Sequence, residues 1–205
     1  MTAIEPDTLL ALATFAIVQC STPGPNNMML LSSGATFGFR RTLPHIAGIT
    51  GGCAFMFLLV GFGLDKVMAR LPWLYMLLHL ASTAYLLYLA WRIATSAGVG
   101  ATSSRAKPVT FFEAAAFQWV NPKAWAMTLA AVTSFARPEH FTTDILIVAA
   151  TLCLIGLPCI MLWAGGGTIV RRLLNRPGAL PAFNISMAVL LVASLIPGLL
   201  ELVER

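Results

Sequence analysis

Long apolar stretches, separated by short polar connections, dominate the pattern of residues along this chain. Six of them occur, at about residues 8–34, 44–65, 71–93, 110–136, 142–166 and 181–201. A helix of about 20 apolar residues crosses the roughly 30 Å hydrocarbon core of a bilayer. The pattern therefore predicts an all-α, polytopic membrane protein with six transmembrane helices surrounded by the lipid bilayer.

Composition and charge support this interpretation. The chain is 58% hydrophobic and only 10% charged, whereas soluble domains carry about 25% charged residues. Its 205 residues are expected to form one transmembrane domain, 1–205. The formal net charge is +5, but the basic residues are scattered over short loops, so we expect no nucleic-acid partner.

The distribution of basic residues predicts an orientation, because cytoplasmic loops of membrane proteins carry an excess of lysine and arginine. The odd-numbered connections contain most of them: Arg40, Arg41, Arg92, Arg105, Lys107, Arg171, Arg172 and Arg176. The even-numbered connections and the termini contain Lys66, Arg70, Arg137 and Arg205. We therefore expect the odd connections in the cytoplasm and both termini outside. The acidic N-terminus, with Glu5 and Asp7, lacks the basic region of a cleavable signal peptide.

A small, polar and basic linker at about 96–108 divides the chain into halves, 1–95 and 109–205, of three apolar stretches each. Three spans are an odd number, so the second half must enter the membrane from the opposite face. Helix-breaking residues interrupt the first stretch of each half, a dozen or so residues in and therefore roughly 18–22 Å deep. Interruptions at corresponding positions of two inverted repeats indicate a transporter binding site. The fold predicted is two inverted three-helix repeats with broken first and fourth helices.

The first break lies in the segment STPGPNN. Pro23 and Pro25, with Gly24 between them, force the helix to unwind. Pro25 suits the first position of a new half-helix, whose unpaired amides would attract a carboxylate. The side chains of Asn26 and Asn27 offer oxygens to an ammonium group and amide protons to an oxyanion. One site could therefore bind both ends of a zwitterionic amino acid.

The second break lies in the segment FQWVNPKAW. Asn121 is a favoured N-cap residue and Pro122 suits the position after it. Lys123 then falls in the first turn of a half-helix and deep in the membrane, where a cation is unfavourable on both counts. An anion between Lys123 and the two helix ends would offset both costs. Gln118 lies three residues before Asn121 on the same helical face and is a further candidate for the cavity. An ordinary proline kink with a snorkelling lysine is the structural alternative.

These motifs resemble those of the LysE/RhtB family of amino-acid exporters. The resemblance covers the whole chain: TPGPNN followed by LSSGATFGFRR, then AGITGG, then FQWVNPKAW at the head of the second half. It implies efflux of amino acids or close derivatives across the bacterial inner membrane, driven by the proton gradient, without enzymatic activity. The form TPGPNN followed by LSS is similar to the cysteine and O-acetylserine exporter branch, and threonine and homoserine stay open as substrates.

Two other functions fit the sequence less well. The cysteines, Cys20, Cys53, Cys153 and Cys159, form no CxxC motif or metal-ligand spacing, and we interpret them as small buried apolar residues. A membrane thiol oxidoreductase of related fold would need a partner thiol for Cys20, and the second break contains none. A heavy-metal exporter would need soft ligands, whereas the predicted site offers amides and a lysine. We expect no cofactor and no metal, and a homo-oligomer stays open.

Glycines and one histidine complete the set of candidates. The pairs Gly34/Gly38 and Gly48/Gly52 have the spacing of close helix packing in membranes, and Gly165–Gly167 are expected to end the fifth helix. His79 is an intramembrane ionisable residue, for which a structural role is favoured over proton coupling.

Overall fold

The computed structural model describes residues 4–64, 72–95, 107–173, 178–193 and 196. This part of the chain is helical and contains no strand. Its α-helices, in chain order, are α1 (Pro6–Ser21), α2 (Pro25–Phe37), α3 (Phe39–Leu59), α4 (Pro72–Ala94), α5 (Phe111–Phe117), α6 (Pro122–Phe135), α7 (Phe141–Leu173) and α8 (Ala179–Ala193). A π turn, Val60–Leu64, follows α3. One 3₁₀ turn, Gln118–Val120, follows α5, and another, Pro138–His140, precedes α7.

The described helices overlap the predicted apolar stretches, and the all-α class is confirmed for the described part of the chain. The first stretch is divided into α1 and α2, and the fourth into α5 and α6, so each leaves the helical conformation where its prolines predict. Two described segments, Phe39–Gly63 and Pro138–Arg171, are long and apolar enough to cross a membrane, and the segments Pro6–Ser21 and Ala179–Ala193 are shorter apolar helices. Most of the linker and the side chain of His79 lie outside the described residues.

Large apolar side chains point outward from the helices. Leu154 and Leu162 on α7 are 73% and 75% exposed, and Phe112 on α5 is 80% exposed. Many exposed large apolar side chains are typical of a membrane or protein interface. The outward faces therefore fit contact with lipid acyl chains.

One sequence prediction about α7 is wrong. Gly165–Gly167 do not end this helix, which continues to Leu173. A Cβ atom on Gly167 would overlap the Leu31 carbonyl of α2, and one on Gly34 would overlap the Ala164 carbonyl of α7. The glycines are therefore needed where the two helix backbones touch, as small residues are in membrane helix interfaces.

The second glycine pair brings α3 against α5. A Cβ atom on Gly48 would meet the Phe111 carbonyl and, at 2.7 Å, Cβ of Ala114; one on Gly52 would lie 2.7 Å from Cα of Ala115. The predicted packing role therefore agrees with the structure at Gly48 and Gly52. Gly38 has a different role, because its φ of 83° allows the tight turn from α2 into α3.

Candidate functional site between the two helix breaks

The first break is a short extended segment that connects α1 to α2. Thr22 and Gly24 are both in extended conformations, and α2 begins at Pro25 without a side-chain cap. Asn27 reaches back from the first turn of α2, where its Nδ2 donates to the carbonyls of Cys20 at 2.9 Å and Thr22 at 2.7 Å. Asn27 thus satisfies carbonyl groups that the end of α1 leaves unpaired.

The second break is more regular. After the 3₁₀ turn, Asn121 caps α6, with its Oδ1 accepting from the Lys123 amide at 3.1 Å, and Pro122 occupies the first helical position. This is the arrangement that the segment NPK predicts. The start of α6 therefore has one of its free amides satisfied from within the chain.

Lys123 connects the two breaks. Its Nζ donates to the carbonyl of Thr22 at 2.8 Å and contacts Thr22 Oγ1 at 3.0 Å. The side chain thus leaves the positive start of α6 and reaches the end of α1, where the helix dipole favours a cation. The ammonium group is therefore paired within the protein, because the extended segment after α1 supplies its partner.

Gly24 provides the space for that lysine. A Cβ atom on Gly24 would lie 2.8 Å from Cδ and 3.3 Å from Nζ of Lys123. Gly24 has a φ of −177°, which any residue can adopt, so its small size is what the site requires. The same contact places the ammonium group beside the N-cap of α2.

A reciprocal amide pair joins the two halves behind this point. Asn26 Nδ2 donates to Gln118 Oε1 at 2.9 Å, and Gln118 Nε2 donates to Asn26 Oδ1 at 3.2 Å. Gln118 is fully buried and also donates to the Ala114 carbonyl at 2.9 Å. Gln118 therefore supports Asn26 from behind, and it is not among the residues that line the cavity described next.

A cavity of about 60 Å³ opens where the two breaks meet. Of the predicted site residues, it is lined by Gly24, Asn26, Asn27, Asn121 and Lys123, whereas Pro23, Pro25 and Pro122 shape the backbone without lining it. The remaining lining comes from α1, α3, α6 and α7: Gln19, Cys20, Ile49, Thr50, Cys53, Phe57, Ala124, Met127, Leu152, Cys153, Gly156, Leu157 and Ile160. No acidic side chain is among these residues, so in the described structure Lys123 is the charged group of the cavity.

Sequence reasoning missed several of these residues. Thr22, the partner of Lys123, lies next to the prolines of the first break and was passed over. Cys20, Cys53 and Cys153 were interpreted as small buried apolar residues, yet all three are only partly buried and line this cavity from α1, α3 and α7. They are free thiols, and Cys53 Sγ lies 3.4 Å from Gln118 Oε1. Their common location follows from tertiary packing and leaves no spacing pattern in the sequence.

Comparison with known proteins places these features in a family. The family model described as LysE type translocator matches residues 17–194. The chain is 34% identical to the cysteine/O-acetylserine efflux protein of Escherichia coli (strain K12) over 191 residues, which cover 92% of this chain and 96% of the relative. The protein of the same description from Shigella flexneri is 34% identical over the same shares. No solved structure gives a significant match.

The family match includes both helix breaks and the cavity between them, and the alignment with the efflux proteins covers nearly the full length of each chain. The protein therefore belongs to the LysE family of translocators, as a multi-pass inner-membrane transporter for amino-acid export and not an enzyme.

Proposed function

We propose that this protein exports a small zwitterionic amino acid from the cytoplasm in exchange for protons, with cysteine or O-acetylserine as its substrate. The substrate occupies the cavity between the two breaks. The named activity of the efflux relatives supports the choice of substrate.

One observation carries the proposal: two positive groups converge on one wall of the cavity. Nζ of Lys123 lies beside Gly24, the N-cap of α2. That helix start has no side-chain cap, so the free amides of its first turn carry the positive end of the dipole. A carboxylate placed between the ammonium group and these amides would bind to both. Such sites at the starts of broken helices bind anionic substrate groups in other transporters.

The rest of the cavity fits the remainder of a small amino acid. Asn27 uses its Nδ2 to bond α1, and its Oδ1 has no hydrogen-bond partner in the described part of the chain, so this oxygen is available to a substrate ammonium group. The whole cavity has a volume of about 60 Å³, enough for several water-sized groups, so it suits a small substrate. The thiol and aliphatic lining favours a weakly polar one.

The cavity thiols alone do not favour heavy-metal export. Soft metal ions bind thiolate ligands, and Cys20, Cys53 and Cys153 do share this cavity. However, the ammonium group of Lys123 opposes entry of a cation into the same space, whereas it attracts a carboxylate. Amino-acid export therefore accounts for the thiols and the lysine together.

We also propose that the helices form six spans as two inverted three-helix repeats, with both termini outside. The positions of the two breaks and the arginine-rich odd connections support this arrangement. A single cysteine at position 103 of a cysteine-free variant should be shielded from an impermeant maleimide in intact cells, and one at position 205 should react. The opposite labelling pattern would contradict the proposed orientation.

Transport itself is tested with the purified protein in liposomes loaded with one labelled amino acid at a time. The set is cysteine, O-acetylserine, threonine, homoserine and, as a bulky cationic control, lysine. We expect efflux of the first two to exceed that of the others and to accelerate when the acceptor compartment is made acidic. Efflux no faster than from protein-free liposomes would contradict amino-acid export. Efflux without a response to the proton gradient would contradict only the coupling.

A further inference from the structure

His45 is a buried ionisable residue that the substrate site does not use. It lies on the second turn of α3, is fully buried, and neither Nδ1 nor Nε2 of its ring has a hydrogen-bond partner among the described residues. A neutral imidazole always carries one N–H donor and one acceptor. Leaving both unpaired in the interior costs stability, so the position needs a reason other than packing.

The packing of α3 on α5 places His45 near the level of the first turn of α5, which carries Glu113. The two helices run in the same direction here, since Gly48 meets Phe111 and Ala114 whereas Gly52 meets Ala115 and Gln118. One turn earlier on α3, His45 is therefore level with the start of α5. Burial of the ring opposes a positive charge on it, whereas the carboxylate of Glu113 on α5 favours that charge and the guanidinium of Arg92 on α4 opposes it.

Glu113 has one oxygen that is weakly engaged. Its Oε2 accepts a hydrogen bond from the Thr110 amide at 2.8 Å, as part of the capping box of α5. Its Oε1 contacts Arg92 Nη1 at 3.4 Å, in an ion pair whose side chains are 22% (Arg92) and 41% (Glu113) exposed. The carboxylate thus has an acceptor for a nearby imidazolium and is open to water at the edge of the protein.

Towards the C-terminal end of α3, the helix face that carries His45 reaches the cavity. Ile49 and Cys53, one and two turns further along the same face of α3, both line it. At 1.5 Å per residue these positions lie about 6 and 12 Å from His45 along the helix. His45 therefore lies one turn of α3 from the cavity lining, near the level of the start of α5.

The other elements packed against α3 bring few competing charges. α2 contains no ionisable side chain, and α3 itself carries Arg40 and Arg41 in its first turn. α6 carries Lys123, which is bonded to Thr22 on the cavity side. The ionisable side chains of α7 are Asp144, Cys153, Cys159, Arg171 and Arg172, of which Asp144 pairs with Arg137. The acid that acts on the His45 ring is therefore Glu113.

We propose that His45 carries the proton that this transporter exchanges for its substrate, with Glu113 as the counter-ion of the imidazolium. This inference rests on the proposed proton-driven export. A proton entering from the outer side through the cavity binds the free ring nitrogen. The resulting imidazolium pairs with Glu113 in competition with Arg92. The proton then leaves to the water beside Glu113, whose side chain is partly exposed.

The test compares His45→Gln with His140→Gln, a control at an exposed position before α7. Each variant is measured in liposomes for net efflux driven by a proton gradient and for substrate-for-substrate exchange without one. We expect His45→Gln to lose about tenfold of the driven efflux, in the range of typical coupling between two sites, and to keep its exchange. His140→Gln should behave as the wild type.

The experiment distinguishes failure of the proposed role of His45 from failure of proton-driven export. Driven efflux of normal rate and pH dependence in His45→Gln would overturn the role of His45 and leave proton-driven export standing. A wild type that exchanges substrate but ignores the proton gradient would overturn both the coupling and this inference.

If His45→Gln does not fold, a measurement on the wild-type protein still tests the proposal. Nuclear magnetic resonance of ¹⁵N-histidine-labelled protein reports the protonation of each ring, and His140→Gln assists assignment. We expect the buried ring to gain a proton as the sample is acidified, at a midpoint that moves when O-acetylserine is added. A midpoint that is the same with and without substrate, or a ring that is not protonated before the protein unfolds, would overturn the proposal.

Discussion

The two helix breaks have the same kinds of residues but different local structures. At the first break, extended residues separate α1 from α2, and the start of α2 has no side-chain cap. At the second, a 3₁₀ turn leads directly to Asn121, whose side chain caps α6. The start of α2 therefore keeps its free amides, whereas the start of α6 satisfies one of its own.

This difference assigns separate tasks to the two halves of the proposed site. The first half supplies an open helix start, and the second half supplies Lys123, which reaches across to Thr22. The positive groups of both halves meet beside Gly24. The two breaks are therefore not equivalent binding sites, and the substrate carboxylate is expected at the first break.

The largest effect is expected from Lys123→Met. Loss of the full counter-charge of the carboxylate should weaken substrate binding by about 2–5 kcal/mol and abolish measurable efflux from liposomes. Thr22→Val is the matched control, because it removes only the hydroxyl contact of the lysine and should cost about 1 kcal/mol. Near-normal efflux by well-inserted Lys123→Met would reduce the second break to a structural kink.

The amide pair between the breaks should affect stability next. Asn26→Leu or Gln118→Leu leaves the other amide without its partner, at about 1–3 kcal/mol each. The double variant leaves neither amide unpaired across the interface, so its loss of stability should be smaller than the sum of the losses in the two single variants. Thermal unfolding of the four proteins in detergent gives the coupling energy. Strictly additive losses would show that the pair does not hold the two halves together.

The smallest effect is expected at the cap of the second break. Asn121→Ala should lower the free energy of unfolding by about 1 kcal/mol, and Asn121→Gly by only a few tenths, because glycine is tolerated as an N-cap. Equal losses in the two variants would indicate that the asparagine acts through the cavity and not through the cap.

The sequence predicted the helices and their breaks because the information is local. Prolines cannot continue a helix and Asn121 favours a cap, so both interruptions were located from short segments. The contacts that build the site could not be predicted in this way. Asn26 and Gln118 are 92 residues apart, and Thr22 and Lys123 are 101 apart. Only the packing of α1 and α2 with α5 and α6 brings them together.

The cysteines and His45 show a second limit of prediction from the sequence. In a helix that is apolar all round, the sequence pattern does not distinguish the face toward lipid from the face toward a cavity. Cys20, Cys53 and Cys153 therefore looked like ordinary apolar positions, although they line one space. His45 lies near the start of a predicted span, and only the packing of α3 on α5 shows that it is buried.

The central claim is that Lys123 and the open start of α2 together bind the substrate carboxylate. The most direct measurement is the binding of an amino acid and of its methyl ester to wild type and to Lys123→Met by calorimetry. The account predicts that wild type prefers the free carboxylate by about tenfold or more and that Lys123→Met loses most of this preference. An undiminished preference in Lys123→Met would contradict it.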